Sequence, residues 1–378
     1  MRGLLWFALV WTAGCNSLWS AFQDPNPENC VVNPQACSSD QTCNRATKRC
    51  ESPAAIDLAG IDLTMIDMAG VDHSPASAWT VSTSNTTVDL RGISGGPGAT
   101  AGSNDIWAVG SGGVATYASS SSGIFSPFVV AGNNTLAMTR VAYIDKGLAA
   151  ALTSAAVFFL TPTAGNLVNP QPSGGPFSGL AASSQSVSTV YVLANQSTVY
   201  SLALSGTPMW TAAVAPAGAV NGVNALSGTL RGASFELWAA MSGSQEFYNI
   251  NNIWTFAGGL PTFASVWATP RAGGVYYVGS AGRIAYANIV GGPTMLTALN
   301  VTTTANLRDV AGTPDGQHIF AVGDGGKILR CDLPPCATGW TDEPSGTSTN
   351  LYGVWASATD VWAVGDGGLI LHRTLVGP

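Results

Sequence analysis

Leu351-Tyr352-Gly353-Val354, then Val361-Trp362-Ala363-Val364-Gly365, then Asp366-Gly367-Gly368 and Leu369-Ile370-Leu371-His372, form the clearest copy of a unit that recurs through the chain. Its first element appears seven times. The other copies are Leu90-Arg91-Gly92-Ile93, Met138-Thr139-Arg140-Val141, Phe177-Ser178-Gly179-Leu180, Val220-Asn221-Gly222-Val223, Phe263-Ala264-Ser265-Val266 and Leu307-Arg308-Asp309-Val310. The steps between first residues are 48, 39, 43, 43, 44 and 44. A period of about 40–45 residues with several strands per unit marks a β-propeller blade. The expected fold is all-β, a seven-bladed β-propeller of four-stranded blades.

The rest of each unit agrees. A second apolar run follows each copy, as in Ile106-Trp107-Ala108-Val109-Gly110, Val275-Tyr276-Tyr277-Val278-Gly279 and Ile319-Phe320-Ala321-Val322-Gly323. A turn comes at once: Ser111-Gly112-Gly113, Ser280-Ala281-Gly282, Asp324-Gly325-Gly326. Gly supplies the positive φ that a tight hairpin needs. A third run, such as Lys327-Ile328-Leu329-Arg330, closes the hairpin. The units from Met138, Phe177 and Val220 keep the period and lose the Gly turns.

The ends supply an independent test. The last unit holds three strand-like runs before Pro378. Trp340-Thr341 stands 11 residues before Leu351, and Trp79-Thr80 stands 11 residues before Leu90. Residues 78–86 are therefore expected to supply the fourth strand of the last blade from the N-terminal side, closing the ring and protecting its edges. The propeller is assigned to 78–378.

Ahead of it, four segments are expected. Met1-Arg2 and the apolar run Gly3 to Ala13 read as a secretory signal over 1–14, too short to span a bilayer as a helix. Thr12-Ala13-Gly14-Cys15 resembles the lipobox of bacterial lipoproteins, which implies lipidation of Cys15, although that family prefers Leu where Thr12 stands. Cleavage by an ordinary signal peptidase is the alternative. Residues 15–29 would then be a tether. Cys30, Cys37, Cys43 and Cys50 lie in a stretch, 30–51, that reads as a two-disulfide knot, with all three pairings open. Residues 52–77 carry Asp57, Asp62, Asp67 and Asp72 at a period of five, similar to pentapeptide repeats but with too few copies to bury a core. An acidic linker is the reading, and calcium binding by it stays open. Cys331 and Cys336 flank a Pro-Pro bend and are expected to pair across a loop.

Composition excludes some functions. Net charge is −7, and from Ala78 to Pro378 there are 10 Lys and Arg against 13 Asp and Glu. No basic stripe exists, so nucleic acid is not an expected partner. The three His occupy no metal spacing, and neither a Gly-x-Ser-x-Gly elbow nor a His-Glu-x-x-His motif occurs. No cofactor and no metal are expected.

The runs at 361–371 and 319–329 resemble those of the seven-bladed propellers of the photosystem II stability/assembly-factor type and of sialidase-type (BNR) repeat proteins. The resemblance covers roughly 79–378 and implies a binding scaffold rather than a catalyst. The sialidase Asp-box is absent. The expected function is a non-enzymatic, monomeric, surface-anchored lipoprotein of the outer membrane. It would recognise a protein or glycan of the envelope or exterior. The alternative is a propeller glycosidase or lyase acting on extracellular polysaccharide. Ligands favour concave mouths. The candidate residues there are Arg91, Asn221, Arg308 and Tyr352, in the second column of the innermost strands, with Trp267 and Trp355 in a later column.

Overall fold

A computed structural model describes residues 78–375 apart from short gaps, together with 42–44 and 49–51. The chain divides into two units, Met1–His73 and Ser74–Pro378. In the first, strands Thr42–Asn44 and Arg49–Glu51 pair antiparallel and set Cys43 opposite Cys50 in register. Cys15, Cys30, Cys37, the leader, the tether and the Asp-rich linker lie outside the described residues.

In the second unit the described residues form seven four-stranded antiparallel sheets. The innermost strands are Leu90–Pro97, Arg140–Asp145, Phe177–Ser183, Val223–Arg231, Phe263–Ala268, Leu307–Gly312 and Leu351–Ala356. Each packs beside the next, and Leu351–Ala356 packs beside Leu90–Pro97, so the sheets form a propeller around a channel. Six sheets are built from consecutive strands. In the last, Thr80–Ser82 pairs with Ile370–Thr374, with Thr80 opposite His372. The closing strand is shorter than the 78–86 span expected, but it comes from the N-terminal side.

Second strands lie between neighbouring sheets and are buried on both faces, which is why they read as unbroken apolar runs. Their aromatic column, Trp107, Trp238, Tyr276, Phe320 and Trp362, is fully buried. Each such side chain contributes roughly 1.5–3 kcal/mol by leaving water. Phe125 and His372 cover Trp362, the latter stacked at 3.9 Å. Cys331 and Cys336 form a disulfide with Cα atoms 5.7 Å apart, packed on Tyr276 and Trp340.

One irregularity repeats. Six innermost strands carry a β-bulge near their start, between Leu90 and Gly92, Phe177 and Gly179, Val223 and Ala225, Phe263 and Ser265, Leu307 and Asp309, and Leu351 and Gly353. The bulge throws its extra residue out of register and re-aims that side chain. In four of these sheets a Gly ends the second strand opposite the bulge, where there is no room for a side chain: a Cβ on Gly365 would lie 2.2 Å from the Asn350 carbonyl oxygen.

The bulges correct the fourth repeat. Its innermost strand begins at Val223, so Val223-Asn224-Ala225-Leu226 is the matching copy, three residues after the one expected. Asn221 precedes this strand and lies outside the described residues. The residue in the second column is Asn224.

The turns Asp324–Gly326 and Asp366–Gly368 are single 3-10 turns whose last two residues have positive φ. A Cβ on Gly368, at φ +75°, would lie 2.0 Å from the Thr86 carbonyl oxygen, whereas one on Gly367 would meet open space. Gly367→Ala should therefore cost about 1 kcal/mol of backbone strain. Gly368→Ala should cost clearly more, because a main chain must also move. Denaturant midpoints of the two variants check this; equal midpoints would contradict it.

Candidate functional site

The bulged residues meet at one end of the channel. Arg91, Asn224, Ala264, Arg308 and Tyr352 line a mouth cavity of roughly 420 Å³ together with Thr139, Arg140, Thr262, Phe263 and Ser280. Five of the six bulge positions thus present their side chains to one cavity. Ser178, at the sixth, does not line it.

Carboxylates of the hairpin turns hold these side chains. Arg308 makes a two-pronged contact with Asp324, Nε to Oδ1 at 2.7 Å and Nη2 to Oδ2 at 2.8 Å. The Arg308 guanidinium, with a donated hydrogen bond from Asn306, keeps the Asp324 carboxyl below the usual Asp range. The Tyr352 hydroxyl donates to Asp366 at 3.1 Å, and Asn350 donates to the same oxygen at 3.0 Å. Arg91 donates to Asp89 at 2.8 Å and stacks on the Tyr352 ring, 4.0 Å from its centroid.

The same residues tie adjacent blades. The Gly367 amide donates to Asp89 at 3.0 Å, the Gly325 amide to Asn350 at 2.9 Å, and the Ala281 amide to Asn306 at 3.1 Å. At these three bulges the preceding residue therefore accepts a hydrogen bond from the turn of the preceding blade. The Asp-Gly-Gly turns thus have a structural role that accounts for their repetition.

Below the rim, Arg140 extends from the second sheet to the fourth and fifth. Its Nη2 donates to the carbonyls of Asn224 at 3.1 Å and Ala264 at 3.4 Å. Asp309 accepts from the Ser265 hydroxyl at 2.6 Å and the Val354 amide at 2.9 Å. Burial raises the Asp309 carboxyl, and the charge of Arg140 opposes that rise. A raised folded-state value means that this group favours folding most when protonated. Its contribution falls as pH rises from the unfolded value near 4 through the folded one. The Tm of Asp309→Asn relative to the unsubstituted protein should therefore increase between pH 4 and 7. A constant difference would refute this.

Of the expected site residues, Arg91, Arg308 and Tyr352 come together at the mouth. Trp267 and Trp355 do not line it. A Cβ on Gly312 would lie 2.4 Å from the Trp267 ring, and one on Gly95 would lie 2.9 Å from the Trp355 ring. Both indoles fill space against the glycine of the adjacent innermost strand, a packing role. Arg140 and Asn224 join the site. Arg140 stands in a third column that repeat alignment alone does not single out, and Asn224 was displaced by the misplaced fourth copy. Among the described residues, no three His, Cys, Asp or Glu side chains converge to hold a metal ion.

No family model and no curated protein matches the chain. Solved structures match it in shape. "YCF48 bound to D1 peptide" aligns over 81% of this chain and 97% of its own at 16% identity, with a TM-score of 0.61. An inactive histidine-to-alanine variant of virginiamycin B lyase from Staphylococcus aureus with quinupristin aligns over 79% and 99% at 14% identity, TM-score 0.60. The WD40 repeats of RRP9 align over 80% and 99% at 12% identity, TM-score 0.64. At these identities the likeness establishes a β-propeller fold and no activity.

Proposed function

We propose that this protein is a non-enzymatic binding module, anchored in a bacterial envelope, that captures a protein segment at the mouth of its propeller channel. The observation that carries the reading is the convergence of Arg91, Arg308 and Tyr352, through bulges that repeat around the ring, on one cavity that Arg140 also lines. Arg and Tyr are enriched among the residues that dominate binding energies. A structure of this fold is of YCF48 bound to a D1 peptide, which adds support.

Two features favour a protein over a glycan. One face of the Tyr352 ring is already covered by Arg91, and Phe263 is buried. Trp267 and Trp355 are packed between strands, so the mouth lacks the open aromatic platform on which a sugar ring stacks. Glycosidase or lyase chemistry finds little support. Asp89, Asp324 and Asp366 are each engaged by neighbouring donors, and neither His318 nor His372 lines the cavity.

The seven sheets, with Thr80–Ser82 completing the last, constitute the seven-bladed ring of this proposal. Cys15 lipidation would hold that ring at the membrane, with the Asp-rich linker as spacer. Intact mass of the mature chain should show a diacyl or triacyl increment on Cys15 and six oxidised cysteines. A mature chain beginning elsewhere, or an alkylatable cysteine, would refute the corresponding half. The binding claim is tested by capture from envelope extracts on the immobilised chain. Pretreatment of the extract with protease should abolish capture, and periodate should leave it. The reverse pattern would establish a glycan ligand instead.

A further inference from the structure

The three mouth arginines are not equivalent. Arg91 is paired with Asp89, and Arg308 is held by the Asp324 fork. Among the described residues, Arg140 donates only to main-chain carbonyls: Asn224 at 3.1 Å, Ala264 at 3.4 Å and its neighbour Thr139 at 3.4 Å. Asp309 lies near enough for the Arg140 charge to favour its ionised form, but its oxygens accept from Ser265 and Val354. Among the described residues, Arg140 thus brings into the cavity a guanidinium with no carboxylate hydrogen-bonded to it.

Resting on the reading of the mouth as a protein-binding site, we propose that Arg140 receives a carboxylate of the captured peptide. An Arg–carboxylate pair is frequently two-pronged, which adds energy and geometric specificity beyond a single contact. Two of the three carbonyl contacts, at 3.4 Å, are longer than the usual 2.7–3.2 Å range. An entering carboxylate therefore replaces contacts to uncharged carbonyls, two of them long, with a two-pronged ion pair. Arg91 and Arg308 lack that incentive, since each would first give up a carboxylate of its own. They frame the entrance, while Arg140, reaching across the channel from the second sheet to the fourth and fifth, reads what enters it.

The carboxylate can be a Glu or Asp side chain or a chain terminus, and four fluorescein-labelled probes separate these. They are Glu-Glu-Glu-Glu and Gln-Gln-Gln-Gln, each as free acid and as C-terminal amide, titrated by anisotropy against the full chain in detergent. Binding of the Glu amide but not the Gln acid assigns the side chain; the converse assigns the terminus. The fully amidated Gln peptide should not bind. Arg140→Gln should weaken the binding probe at least tenfold, and Arg140→Lys should recover only part, because an ammonium keeps the charge and loses the fork. Melting curves of both variants establish that they are folded. If Arg140→Gln binds the acidic probe as tightly as the unsubstituted chain while Arg308→Ala with Tyr352→Ala does not, the assignment to Arg140 fails and the mouth site stands. Equal binding of all four probes, or of none, overturns the assignment. Binding of a labelled oligogalacturonate where no peptide binds would overturn the protein-binding reading as well.

Discussion

Removing residues 78–86 should lower the Tm by at least about 10 °C. The segment contributes much more than three backbone pairs to the last blade. Trp79 is buried and meets Phe320 edge-on at 6.3 Å, in the preceding blade. Its indole N–H donates to Glu343 at 2.9 Å. Glu343 is itself buried and forms ion pairs with Arg373 and, at 3.5 Å, with Arg330. The first of these arginines belongs to the last blade and the second to the one before, so Trp79 and Glu343 lock two blades at the seam of the ring. Past the strand, Asn85 donates to the Phe125 carbonyl at 2.8 Å, extending the lock to the first blade. Losing a buried Trp costs about 3–5 kcal/mol. Truncation also removes a donor from a buried carboxylate, whose tolerance depends on complete pairing. At roughly 2–4 °C per kcal/mol for a domain of this general size, the fall exceeds about 10 °C. Trp79→Ala alone should reproduce most of it. A truncated protein with an unchanged melting curve would show that the ring does not close through this strand.

The second large effect concerns the site. Arg308→Ala with Tyr352→Ala should weaken ligand capture by at least about 2 kcal/mol, or roughly 30-fold, with the fold retained. Both side chains stand at bulges, outside the pairing register, and both are partly exposed. Their removal leaves the apolar columns Leu307–Val310 and Leu351–Val354 in place. Asp324 keeps its hydrogen bond from Asn306 and Asp366 its bond from Asn350, and both carboxylates are partly exposed, so water can replace the lost partners. A modest stability change with a large loss of capture is the expected pattern. Melting curves and binding isotherms on the same preparation measure both. A melting loss as large as that of the Trp79→Ala variant would show that Arg308 and Tyr352 serve mainly to join blades.

Much of this architecture was legible in the repeats because four copies obey one rule and the others keep its period. In those four, aromatics of the second strand sit between sheets, and Gly ends that strand where two bulged residues oppose one. The paired Trp79 and Trp340 announced the closing strand. Cys331 and Cys336 announced their disulfide through spacing and the bend between them. The site was less legible. Arg91, Arg308 and Tyr352 were found because they occupy a repeated column, but Arg140 acts from a column with no repeated chemistry and reaches its partners across the channel. The fourth repeat lacks its Gly turn and holds two Asn-bearing frames three residues apart, one with Asn221 and one with Asn224. Only strand register decides between them. Trp267 and Trp355 look like binding aromatics in sequence. Their role is set by Gly312 and Gly95, the small residues that make room for them on adjacent strands.

The central claim, that ligand enters the channel mouth, is tested most directly by photo-cross-linking. A benzophenone side chain placed at Ser280, which lines the cavity, is compared with one at Met209, which is 72% exposed on the outer side of the third sheet. The account predicts an adduct with captured protein from position 280 and none from position 209, with the former lost in the Arg308→Ala, Tyr352→Ala background. An adduct from position 209 alone would contradict it and move the binding surface to the blade rims.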